Sequence, residues 1–132
     1  MIPVDQEIMH DPDAGSVGDC FRACIASVLE LPIDAVPHFG LLGSRWQRVL
    51  DGFLAGLSRE IEWSQGIPPD GIWAIATVQS PRAADVKHSV IWRDGKIVHD
   101  PHPSRAGGEG PTDYFYLVPD SPSPQAPLSK AP

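Results

Sequence analysis

Three side chains have the types and the order of a nucleophile, its base and an orienting acid: Cys20, His88 and Asp100. A helix start is predicted at Gly18-Asp19, with Asp19 as N-cap, which puts Cys20 in the first turn. Unpaired amides and the helix dipole favour an anion there, so the position lowers a thiol pKa and offers N–H donors to an oxyanion. The adjacent Asp19 carboxylate works against a second negative charge, so a histidine must outweigh it. Cys24, one turn further in, falls on the apolar stripe and reads as a small core residue.

The turn between two predicted strands decides whether His88 and Asp100 meet. A two-residue turn at Asp94-Gly95 sets Arg93 opposite Lys96 and His88 opposite Pro101. A three-residue turn, Arg93-Asp94-Gly95, sets Val90 opposite Val98 and His88 opposite Asp100. The second avoids a like-charge pair, matches aliphatic residues and is preferred. It lets Asp100 fix one ring nitrogen of His88 while the other reaches a thiol.

The supporting elements follow from periodicity. Phe21, Cys24, Ile25, Val28 and Leu29 mark a helix that Pro32 ends. A helical turn is expected at 33–39, and a second helix from Trp46 through Val49, Leu50, Phe53, Leu54 and Leu57. Residues 66–71 read as loop. Strands are predicted at Ile72–Val78, Lys87–Arg93, Lys96–Asp100 and Tyr114–Val118, with a glycine- and proline-rich loop at 101–111. Helices first and an antiparallel sheet after give an α+β domain over residues 1–118. Residues 119–132, with five prolines, read as a disordered tail.

The chain has 132 residues, with 17 acidic against 10 basic side chains and a net charge of −7. That balance argues against a nucleic-acid partner and against attraction to anionic membranes. Neither a secretory signal nor an apolar run of spanning length is present, so a soluble cytoplasmic protein is expected. Two cysteines four apart on a helix are poorly placed for a disulfide.

Asp19-Cys20-Phe21-Arg22-Ala23-Cys24, His88-Ser89-Val90-Ile91 and Val98-His99-Asp100-Pro101 together resemble the papain-like cysteine peptidases, within them the C39-like branch. Small bacterial and phage proteins carry similar stretches. The resemblance covers about residues 15–104. It implies a papain-like fold whose N-terminal catalytic helix packs on an antiparallel sheet, a peptide or protein substrate, and no cofactor or metal. Cys20 would be the nucleophile, His88 the general base and acid, and Asp100 the orienter. The family completes its oxyanion hole with a Gln upstream of the Cys, and the only upstream Gln here is Gln6.

Within that reading the expected enzyme is a peptidase or isopeptidase working through a thioester. The small core suggests a narrow substrate, such as an exposed glycine-rich segment or an isopeptide. Deamidation and acyl transfer to an amine remain open on the same triad. Two rivals stand beside it. Cys20, Cys24, His99 and His102 could ligate zinc. A non-catalytic binding module could use its tail for docking, with Trp63, Trp73 and Trp92 lining a groove.

Overall fold

The computed structural model describes residues 1–119. The expected tail at 119–132 therefore lies outside the described residues, save the Pro119 backbone at the end of the last strand. Helix α1 spans Cys20–Leu29 and α2 spans Trp46–Ala55. Strands β1 (Arg59–Ser64), β2 (Ala74–Gln79), β3 (Lys87–Arg93), β4 (Lys96–His99) and β5 (Glu109–Pro119) follow. They form one antiparallel sheet in the order β1-β5-β2-β3-β4, so the α+β class holds. Single 3-10 turns occupy Ile33–Ala35, Phe39–Leu41 and Gly43–Arg45 between the helices. Among the described residues no helix is long and apolar enough to cross a membrane.

The helices pack on the sheet, α1 against β3 and β2 and α2 against β1. Their shared core is Cys24, Ile25, Leu50, Leu54, Ile75 and Ile91, with Val36 and Phe39 from the connecting turns. Cys24 is wholly buried there. Alternate residues of β2 and β3 build a second cluster, Ala76, Val78 and Val90 with Tyr114. That alternation is the period-two signature of strands buried on both faces.

Two strands depart from expectation. The pattern predicts no strand at β1, although Ile61 and Trp63 alternate with Glu60 and Glu62. Those carboxylates suit an edge strand, where charge discourages further pairing. β5 begins five residues before the predicted Tyr114, through Gly110 and Pro111, because pairing with β2 overrides local propensity.

The β3–β4 hairpin corrects the predicted register. Its turn is the two-residue Asp94-Gly95 type, with φ of 53° and 81°, and Arg93 does face Lys96. Positive φ at both central residues matches the twist of the strands, which outweighs the like-charge pair. Arg93 is drawn aside, its guanidinium 4.3 Å from the Trp73 ring centroid. A bulge then intervenes: Trp92 pairs with Ile97, but Ile91 pairs with His99, leaving Val98 as the extra residue. In the unbulged register His99, not Asp100, would share a face with His88. The extra residue restores Asp100 to the His88 face.

Gly108, just before β5, faces the irregular stretch of β2. An added Cβ would collide with the Val78 side chain and lie 2.6 Å from the Gln79 carbonyl oxygen. Gly52, in α2, has open space around it. Gly108→Ala is expected to cost about 1–3 kcal/mol in urea denaturation. Gly52→Ala is expected to add up to about 1 kcal/mol. The same sign for both would contradict this packing.

Candidate active site

Five elements converge on one cleft: the N-terminal segment, the start of α1, the β2–β3 loop, the start of β3 and the loop after β4. Cys20 is the first residue of α1 and half-buried. The first intrahelical bond runs from the Ala23 amide to the Asp19 carbonyl, so the amides of Cys20, Phe21 and Arg22 lie outside the helical ladder.

Asp19 does not cap the helix as expected. Its side chain, 1% exposed, turns to the N-terminal segment. Oδ1 accepts the amides of Glu7 (3.0 Å) and Ile8 (2.9 Å), and Oδ2 accepts Arg22 Nη1 at 3.3 Å. The charge beside Cys20 is thus committed to three donors and pins residues 7–8 against the helix start. Ser27, in the third turn of α1, holds the same segment further back by accepting the Val4 amide at 2.9 Å. Residues 4–8 thus form a strap laid along α1.

His88 is buried on β3, and its Nε2 meets Asp100 Oδ1 at 2.6 Å. Its other nitrogen, Nδ1, is free of Asp100, and Cys20 lines the same cleft as the ring, each group shifting the other's pKa. Asp100 lies just past β4. Oδ1 also accepts the His102 amide (2.9 Å), and Oδ2 accepts the Gly107 amide (2.7 Å). The loop carrying these amides is clasped to the strap by Arg105, which donates to both Asp5 carboxylate oxygens (2.6 and 2.9 Å) and to the Asp100 carbonyl (2.6 Å).

The electrostatics oppose burial at all three groups. Burial alone would raise the Asp100 carboxyl, but the donors from His88, His102 and Gly107 hold it below the ordinary carboxylate value. Burial alone would make His88 less basic, yet its bonds to Cys20 and Asp100 raise its pKa. Burial would likewise raise the Cys20 thiol, but the hydrogen bond and charge of His88, with hydrogen bonds from Ser89, bring it down. Cys24 goes the other way, pushed well up by burial and by the charges of Cys20 and Asp100.

Gln6 reaches the same cleft, of about 550 Å³, together with Cys20 and His88. Its backbone amide donates to the Pro101 carbonyl at 3.0 Å, and its Nε2 to the Ile8 carbonyl at 2.8 Å. One Nε2 proton is therefore committed and one is left for a ligand. The Gln6 Oε1 atom is buried with no hydrogen-bond partner in the fold.

The zinc set does not assemble. Cys24 is in the core, His99 Nε2 bonds the Val4 carbonyl at 3.2 Å, and no metal-ligating cluster forms among the described residues. The three tryptophans do not share a groove either: Trp73 stacks with Arg93, Trp63 is exposed on β1, and Trp92 tilts against Tyr114.

Sequence reasoning missed Asp5, Ser89, Arg105 and Gly107 as supporting residues. Only Gly107 left a signal, as half of a Gly-Gly pair after Asp100; it has φ of 73°. Asp19→Ala, which strands three donors, is expected to lower stability by about 2–4 kcal/mol. Hydrogen exchange should speed up at the Glu7 and Ile8 amides; unchanged exchange would contradict the strap's dependence on Asp19. Against protein-family models, curated proteins and solved structures alike, the chain gave no match.

Proposed function

We propose that this chain is a cysteine-dependent hydrolase of amide bonds, a peptidase or isopeptidase in the papain-like manner. One observation carries the reading: a buried His88, held at 2.6 Å by a fully bonded carboxylate, shares one cleft with a half-buried thiol at a helix start. A histidine that served packing alone would not require an open cleft and an accessible thiol on its second nitrogen.

The chemistry then runs in two halves. The Cys20 proton passes to His88 Nδ1, and the sulfur attacks the substrate carbonyl carbon. Asp100 stabilises the resulting imidazolium and keeps the ring oriented. The developing oxyanion is received by the Cys20 amide and the remaining Nε2 proton of Gln6. His88 gives its proton to the departing amine as the C–N bond breaks, leaving a thioester. Water, deprotonated by His88, attacks that thioester, releases the carboxylic acid and restores the thiol. If an amine replaces water the same site is a transferase, and a side-chain amide as substrate makes it a deamidase.

The test is turnover of a panel of fluorogenic peptides, isopeptides and glutamine amides by the purified chain. Cys20→Ala should abolish it, and His88→Ala should lower kcat/KM by at least about a hundredfold. Asp100→Asn should move the alkaline limb of the pH profile to lower pH, because an imidazolium without its partner loses its proton sooner. Turnover that survives both the Cys20 and His88 substitutions would refute the assignment.

A further inference from the structure

Two grooves flank the Cys20–His88 couple, and the formally charged side chains in them are of opposite sign. Cys20 and His88 line the larger cleft, while their chain neighbours Phe21 and Ser89 line a groove of about 390 Å³ on the other side. That second groove is walled by Phe39, Trp46 and Phe115 and contains the Asp113 carboxylate but no cation. The larger cleft has Arg82, Lys87, His10 and His102 around the couple and no Asp or Glu in its lining. In a chain with 17 acidic and 10 basic side chains, a lining whose only formal charges are cationic runs against the composition.

These cations are not consumed inside the fold. Arg82 donates to Ser104 Oγ at 3.1 Å, a neutral partner, and neither Arg82 nor Lys87 forms a salt bridge among the described residues. Both are exposed, Arg82 on the β2–β3 loop and Lys87 at the start of β3, next to His88. His102, whose ring lies 6.4 Å from that of His88, accepts the Ser104 amide at Nδ1 and so carries its proton on Nε2. Asp11, Asp13 and Asp85 are near in sequence, but all three are exposed and outside the lining.

We propose that this cleft selects an acidic peptide segment, with Arg82 and Lys87 as the specificity-determining cations for a carboxylate close to the scissile amide. The scissile bond itself rests on the hydrolase reading above; the charge preference can be measured without turnover. A low-dielectric cleft of one sign concentrates ligands of the other sign.

The experiment compares alkylation of Cys20 by anionic iodoacetate and by neutral iodoacetamide, in the full chain, with the site assigned by mass spectrometry. The ratio of the two rates, normalised to that of free cysteine, should exceed unity and fall as salt is added. It should drop about tenfold at low ionic strength in Arg82→Glu/Lys87→Glu, and by less in Arg82→Gln/Lys87→Gln. The His88 imidazolium attracts iodoacetate in every one of these proteins, so the difference between variant and wild type isolates the two cations. A second arm measures binding of glutamate-rich and lysine-rich peptides to Cys20→Ala, with the glutamate-rich peptide expected to bind tighter. A ratio unchanged by the substitutions, or no preference between the peptides, overturns the proposal. No alkylation by either reagent would instead sink the hydrolase reading, and the peptide arm alone would then decide the charge preference.

Discussion

A carboxylate buried away from water is tolerated only when its oxygens are met by donors, and Asp100 is the place where this fold meets that demand. It is 4% exposed and receives a ring nitrogen and two backbone amides. Each donor comes from a different constraint. His88 comes from β3 in the sheet, His102 from the turn after β4, and Gly107 from a left-handed glycine at the far end of the loop. Arg105 closes that loop onto Asp5, and the Pro101 carbonyl accepts Gln6. The carboxylate, the loop and the N-terminal strap are one hydrogen-bonded assembly. Losing one donor leaves a buried negative charge under-solvated, so the cost exceeds that of a single ordinary bond.

The same assembly accounts for the state of Cys20. A half-buried thiol in an acidic chain has no general reason to ionise, since burial and net charge both oppose it. The helix start and His88 oppose them locally, and Cys20 and Asp100 together support the charge on His88. Asp19, adjacent to the thiol, would undo part of this if its carboxylate were idle. Two hydrogen bonds commit it to the strap and a third to Arg22 on α1, which makes a neighbouring acid a scaffold for Gln6.

The legibility of this site in the sequence followed the range of each interaction. Helix α1 and its cysteine were readable from a local stripe and Pro32, and β3 from the Val90-Ile91-Trp92 run closed by the Asp94-Gly95 turn signal. The His88–Asp100 contact was anticipated through a register that does not occur. The avoided Arg93–Lys96 pair exists, and Trp73 draws Arg93 aside, a partner from a distant loop that no local rule supplies. The bulge at Val98 then returned Asp100 to the His88 face, so two departures cancelled. The strap, the Arg105–Asp5 clasp and β1 join residues dozens of positions apart or sit at an edge with weak propensity. Long-range closure of that kind leaves little trace in composition or period.

His88 shifts the pKa of both Cys20 and Asp100, so the ionisation of the thiol reports on all three. A lowered thiol pKa with a raised imidazole pKa widens the pH range in which thiolate and imidazolium coexist. The direct measurement is a pH titration of ultraviolet thiolate absorbance on the intact chain. It should show thiolate forming below the free-cysteine value of about 8.5, absent in Cys20→Ala and shifted upward in His88→Ala. Thiolate that forms only above that value, unmoved by His88→Ala, would contradict the account.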